Sequence, residues 1–310
     1  MILVLRALGV GDLATGVPAL RALRTAFPAE ELVLAAPAWL APLVTLTGAV
    51  DRILPTDGLT PRAWPGGSPE LAVNLHGSGP ESHRLLLSAR PARLWAFRSE
   101  AAGVEGPLWS DEEHEVRRWC RMLRHFGLAP DETDLTLTTP LGYAPSAVTI
   151  VHPGAKSPSR RWPPQRFAEV ARRLHDAGHH VVITGSPAEQ DLTAKVAADA
   201  GLGPESLPAT DLASLAALIA GARLLISGDT GVSHLATAYG TPSVTLFGPM
   251  SPARWGPPAH PRHQVIWHGT RSERGDLPGP DVHPALLAVT VEETLAAARQ
   301  ALLPAGPRSR

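Results

Sequence analysis

Residues 223–239 read RLLISGDTGVSHLATAY. Residues 223–227 form an apolar run of strand length, Gly228 and Gly231 bracket a tight turn, and residues 232–239 continue with helical spacing. A strand that passes through a glycine turn directly into a helix is half of a βαβ unit. Chains built from such units fold as parallel sheets covered by helices on both faces. The same pattern recurs outward from this stretch. Apolar runs at residues 148–152, 180–184 and 243–247 each end in a glycine or proline turn, and helical patterns cover 167–177, 189–200 and 212–220. Toward the N-terminus, residues 2–8 run into Gly9, Gly11 and Asp12 and then a helix through Pro18, Leu20, Leu23 and Phe27. Further strands are expected at 31–36, 71–75 and 94–97, with a helix at 112–127.

Residues 130–147 are polar, proline-containing and poorly periodic, as a linker is. The chain therefore reads as two α/β domains, residues 1–145 and 146–310, with a hinge near 140–147. Residues 250–290 are rich in Pro, His and Arg and show few clear elements. A last helix at 291–302 can pack on its own half or return to the N-terminal one.

With 310 residues, 44% hydrophobic and 18% charged, the chain is globular, and a net charge of -1 argues against a nucleic-acid partner. Cys120 is the only cysteine, which excludes a disulfide framework. The N-terminus lacks a basic leader and a small-residue cleavage site, and no apolar run approaches about eighteen residues. A cytoplasmic location is expected, with work at the inner membrane face still open.

Ligands of open parallel sheets sit outside the carboxyl ends of the strands. The search narrows to the turns at 9–12, 76–80, 152–161, 184–189, 228–234 and 247–249. In the quoted turn, Thr230 and the N–H groups opening the following helix suit a phosphate. Asp229 repels phosphate, so it caps the helix or hydrogen-bonds a sugar hydroxyl. A capped helix start, with His234 as a structural histidine, fits the same residues.

The segment Asp229-Thr230-Gly231-Val232-Ser233-His234-Leu235 resembles a signature of the bacterial heptosyltransferases, glycosyltransferase family 9. Other stretches resemble that family in order and spacing over residues 1 to about 250. They are Gly11-Asp12 with Pro18, Asn74-Leu75-His76-Gly77 through Ser82, His152-Pro153-Gly154-Ala155, Arg160-Arg161-Trp162-Pro163 with Phe167, and Gly185-Ser186 with Glu189. The resemblance implies a GT-B fold of two facing Rossmann-like domains with parallel sheets, the donor on the C-terminal domain and the acceptor on the N-terminal one. It implies transfer with inversion, no metal and no cofactor beyond the nucleotide-diphosphate sugar co-substrate, and the chain is expected to be a monomer.

By position, the resemblance makes Asp12 the general base, Glu189 a ribose ligand, Asp229 a sugar contact, and Thr230, Gly231 and Val232 the diphosphate cradle. Gly154, Lys156, Gly185, Ser186 and His234 join the donor side, and Gly11, His76, Gly77 and Ser82 the acceptor side. Arg160 stands where the family has a lysine beside the diphosphate, and Asn74 where it often has Asp. Arg keeps the charge and adds a bidentate fork, and Lys156 is the alternative cation. These roles suit the chemistry. A cation and helix N-termini stabilise the charge growing on a leaving diphosphate, and inversion needs only one base. The donor is expected to be an ADP-linked heptose and the acceptor a glycan, lipopolysaccharide-like molecule or small scaffold.

Gly9-Val10-Gly11-Asp12-Leu13-Ala14 also fits a dinucleotide fingerprint. Asp12 would then crowd the pyrophosphate, and residues 35–37 offer no acid for a ribose. A sugar-nucleotide epimerase on the same fold is a further alternative. Adjacent Ser233 and His234 cannot form a nucleophile–base pair, and thirteen scattered histidines with no H-E-x-x-H give no zinc site. Trp64, Trp95, Trp109 and Trp255 can line a sugar pocket, though core packing accounts for each.

Overall fold

Short, buried and mostly apolar runs make the interior strands of both sheets. The computed structural model describes residues 1–140, 147–270, 275–276 and 279–304. Its first half contains β1 (Ile2–Leu5), α1 (Val10–Ala26), β2 (Leu32–Ala36), α2 (Ala41–Leu46), β3 (Arg52–Pro55), β4 (Leu71–Asn74), α3 (Glu81–Leu87), β5 (Arg93–Trp95) and α4 (Glu115–His125). Every residue of β1, β2 and β4 is buried, as a strand covered on both faces requires. The five strands are parallel, in the order β3-β2-β1-β4-β5.

The second half contains β6 (Thr149–His152), α5 (Pro164–Asp176), β7 (Val181–Ile183), α6 (Gln190–Asp199), α7 (Leu212–Ala220), β8 (Leu224–Gly228), α8 (Gly231–Tyr239), β9 (Ser243–Phe247), α9 (Pro252–Trp255), β10 (His263–Trp267), α10 (Pro284–Leu287) and α11 (Val291–Ala301). These strands are also parallel, but in the order β10-β9-β8-β6-β7.

The chain divides into two compact units, Met1–Thr138 and Thr139–Arg310. The boundary expected between 145 and 146 falls outside the described residues. Helix α11 buries Leu295, Ala298 and Ala301 in the core of the second unit, together with Val151, Ile226 and Leu246. Trp162 closes this core. Its ring meets Phe167 edge-on at 5.0 Å, and its Nε1 donates to the Val289 carbonyl at 3.1 Å.

Several elements depart from the sequence expectation. The helix expected from residue 112 starts at Glu115, because His114 accepts from the Val116 N–H and caps it there. Strands β3 and β10 and helices α2, α3, α9 and α10 were not expected, and β10 with α9 and α10 lies in the stretch that read as nearly structureless. No described helix is long and apolar enough to cross a membrane.

Strand order locates the ligand edge of each unit. In the first sheet the connections run outward from β1 to β3 and then return to the other flank of β1 as β4. The reversal falls between β1 and β4. In the second it falls between β6 and β8. Crevices form at such reversals, outside the carboxyl ends of the two strands. In the first unit these ends carry the turns of Asp12 and His76. In the second they carry the turns of Gly154 to Arg160 and of Asp229.

Candidate active site

In the first unit, β1 leads into α1 with Gly9 as its cap residue. Asp12 sits in the first turn of α1, one residue after Gly11, and its Oδ2 accepts from the Gly9 N–H at 3.1 Å. The helix-cap reading of Asp12 is therefore true of one oxygen. The other, Oδ1, lies 4.0 Å from Arg6 Nη2, and the side chain stays 27% exposed. Burial raises the Asp12 pKa, and Arg6 opposes that rise.

Arg6 is wholly buried and spreads its donors over several elements. Nε reaches the Asp12 carbonyl and Nη1 the Leu75 carbonyl. Nη2 serves Thr15 Oγ1 at 3.1 Å and Glu115 Oε1 at 3.2 Å. Gly16 makes room for it, since a Cβ there would come within 2.9 Å of Arg6 Nε.

The turn after β4 is organised by Asn74, which is fully buried. Its Oδ1 accepts from the His76 N–H at 3.0 Å, while Nδ2 reaches Ser82 Oγ at 2.9 Å and the Gly77 carbonyl at 3.3 Å. Asn74 and Ser82 thus support the turn from inside, and Ser82 is only 2% exposed. His76 stands half-buried at the strand end. Burial, then Arg6, pulls its pKa down to about 4, and its Nδ1 has no partner among the described residues.

In the second unit, Asp229 ends the β8 turn at 4% exposure. Arg160 Nη1 donates to Asp229 Oδ2 at 3.1 Å, and Arg160 Nε also bonds Asp276 Oδ1. Burial pushes the Asp229 pKa up to about 6, with Arg160 opposing the rise and Asp276 adding to it. Thr230 caps α8 and accepts from the Val232 N–H at 3.2 Å, which occupies one of the helix-opening N–H groups. Gly231 and Val232 form the first turn of α8, and the His234 ring lies 5.9 Å from that of Trp255.

The β6 and β7 turns meet at Glu189. Its Oε2 accepts from the Ser186 N–H at 2.9 Å and Oγ at 2.8 Å. A Cβ on Gly154 would lie 2.3 Å from Glu189 Oε1, and one on Gly185 would lie 2.6 Å from Thr193 Cγ2, so both glycines exist to let these turns close. His152 lies beneath, bonded to Thr184 Oγ1 at 3.0 Å, and burial lowers its pKa to about 4.

The structure therefore joins Arg160 to Asp229, and Gly154 to Glu189, Ser186 and Gly185. Lys156 is exposed and makes no ion pair among the described residues, which leaves Arg160 as the cation at the β8 turn. Trp95 stacks on Phe126 at 5.1 Å, Trp109 meets Phe97 and Trp119, and Trp64 bonds the Leu85 carbonyl, so Trp255 alone of the four stands against a candidate site residue. The sequence reading missed three participants: Arg6, Glu115 and Asp276. A charge closing an apolar strand was the signal for Arg6; the other two gave none.

The dinucleotide reading of Gly9, Gly11 and Ala14 is not supported, because the Asp12 carboxylate closes on the Gly9 N–H where a pyrophosphate would need that donor. No group of three or more His, Cys, Asp or Glu side chains placed to hold a metal occurs among the described residues.

Comparison with known proteins adds a family. Residues 111–279, more than half of the chain, match the family described as glycosyltransferase family 9 (heptosyltransferase). Lipopolysaccharide heptosyltransferase 2 of Escherichia coli (strain K12) is 30% identical over 154 residues, 46% of this chain and 43% of that protein. The chain thus matches less than half the length of that relative. Two solved structures resemble the whole fold. E. coli ADP-heptose lps heptosyltransferase II aligns with a TM-score of 0.76 and 23% identity over 97% of this chain and 98% of that one. The glycosyl transferase family 9 protein from Veillonella parvula DSM 2008 aligns with a TM-score of 0.78 and 20% identity over 97% and 96%. Two parallel α/β units of this kind make the fold GT-B.

Proposed function

The chain belongs to glycosyltransferase family 9, and from that premise we propose that it transfers a heptose from an ADP-linked donor to a hydroxyl of a lipopolysaccharide-like glycan. One observation carries the reading: a buried carboxylate, Asp229, pairs with Arg160 at the N-terminus of α8, outside the carboxyl end of β8. A helix N-terminus and a guanidinium are what a diphosphate needs. As the bond from the sugar to the diphosphate breaks, negative charge grows on the leaving oxygens, and both groups stabilise it most in the transition state. Asp229, held among them, addresses a sugar hydroxyl, and Glu189 Oε1 addresses the ribose.

In the first unit, Asp12 takes the proton of the acceptor hydroxyl as it attacks the anomeric carbon. A single base and no covalent intermediate give inversion. Arg160 supplies the cationic stabilisation, so the reaction runs without a metal. The enzyme works in the cytoplasm as a monomer, and its acceptor brings it to the inner membrane face. Family membership supports neither the oxidoreductase nor the epimerase alternative.

A thermal-shift series in buffer containing EDTA tests this reading. ADP is expected to raise the melting temperature, NAD is not, and Arg160→Ala is expected to remove the ADP shift. Stabilisation by NAD alone, or an ADP shift that survives Arg160→Ala unchanged, overturns the donor site.

A further inference from the structure

The proposed chemistry leaves the most deeply buried charge of the first unit without a task. The Arg6 side chain is fully shielded from solvent, and burying a guanidinium is costly unless every donor is matched. Its donors fasten the first turn of α1 through the Asp12 carbonyl and the end of β4 through the Leu75 carbonyl. They also reach α4 through Glu115. The Trp119 ring covers its face at 5.0 Å. Arg6 therefore joins both strand ends that flank the chain reversal to the helix behind them.

The Asp12 carboxylate stands apart from this lattice. Its Oδ1 is 4.0 Å from Arg6 Nη2, longer than a hydrogen bond. The nitrogen acts on it as a charge and occupies no lone pair. The same nitrogen is hydrogen-bonded to Glu115 Oε1 at 3.2 Å. Glu115 is itself held by Trp119 Nε1 at 2.7 Å and by Arg118. Two carboxylates thus share one guanidinium: Glu115 is hydrogen-bonded to it, and Asp12 Oδ1 stands at 4.0 Å without a hydrogen bond.

We infer that Arg6 and Glu115 are positioning residues for Asp12. Arg6 sets the backbone that presents the carboxylate, and Glu115 compensates the Arg6 charge so that Asp12 is not drawn into a closed ion pair. The inference rests on Asp12 being the proton acceptor. The charged groups acting on Asp12 are Arg6, the residue directly after β1, and Glu115 from α4. Arg118 of α4 pairs with Glu115, and Arg6 also bears on His76 in the turn after β4. Burial and Glu115 raise its proton affinity, while Arg6 lowers it.

Asp12→Asn is measured first. Turnover within about tenfold of wild type removes the base, and the inference with it. If turnover is lost, pH profiles of kcat/KM decide the inference separately. In Glu115→Gln the acid limb is expected to move to lower pH by about one unit, because a like charge beside Asp12 has been removed. An unmoved limb in the folded variant overturns the proposal. Arg6→Lys keeps the charge but loses the planar fork. Its expected outcome is a kcat lower by about tenfold, an acid limb in place and an unchanged donor KM. Should Glu115→Gln not fold, Arg6→Lys decides alone: a kcat within about twofold of wild type, or a loss shared equally with donor KM, sinks the positioning role.

Discussion

Gly154 is a glycine because the Glu189 carboxylate fills the space a side chain would take. Gly154→Ala is expected to push Glu189 off its bonds with Ser186 and to weaken ADP binding by about tenfold or more, a loss of at least about 1.4 kcal/mol. Calorimetric titration checks this, and an unchanged Kd would dissociate Glu189 from the nucleotide. At this scale the sequence was readable where chemistry sits on a strand end. Asp12, Asp229 and Thr230 could be picked out as polar residues beside glycines that close buried runs, whereas Arg160 was singled out only by its place in the stretch that resembles the family. Their partners could not. Arg6 and Glu115 lie 109 positions apart, and Arg160 and Asp276 lie 116 apart, so no local pattern links them. Ser82 was matched to an acceptor role by position alone. Its burial against Asn74, which follows from the path of the turn, could not be foreseen.

Among the elements, the interior strands were legible and two edge strands were not. β1, β2, β4, β6, β8 and β9 are buried on every residue and show as short runs that are mostly apolar, with their few polar residues (Asn74, Thr149, His152, Ser227, Ser243 and Thr245) uncharged or buried. β3 and β10 have only one neighbouring strand each and stay partly open to solvent, so Arg52, His263 and Gln264 break the signal. Strand order was hidden for a different reason: pairing between strands distant in sequence is decided by tertiary packing. Trp162 illustrates how an element outside the sheet is secured. It lies 1% exposed between Phe167 and the Val289 carbonyl, and so fastens the entry to α5 against the connection between α10 and α11. Trp162→Ala is expected to lower stability by about 3–5 kcal/mol. Urea unfolding measures it, and a change below about 1 kcal/mol would mean that the site repacks.

For the molecule as a whole, buried histidines set the response to acid. Burial lowers His76, His152 and His263 from the ordinary 6.5 to about 4. Between those values the unfolded chain binds protons that the folded one refuses, so stability falls as pH drops through that window. Asp229 works the other way: raised from 3.8 to about 6, it holds a proton in the folded state that the unfolded chain has released, and so favours folding as pH falls. The histidines outnumber it. The melting temperature is expected to decline from about pH 6.5 downward, and His152→Gln, which can still bond Thr184, should flatten the decline. A melting temperature constant from pH 6.5 to 5 would contradict this.

The two strand orders have a consequence for the chain's internal history. In chain order the first unit runs 3-2-1-4-5 across its sheet, and the second, read from its far edge, runs 2-1-3-4-5. A tandem copy of one domain would preserve a single order. Superposing the halves residue by residue would send their third strands to opposite flanks, and the two key turns would not coincide. The carboxylate of Asp12 follows the first strand of its half, whereas Asp229 follows the third. The halves are therefore better compared as two separate solutions to placing polar groups at a chain reversal than as duplicated copies, and substitutions cannot be transferred from one to the other by alignment.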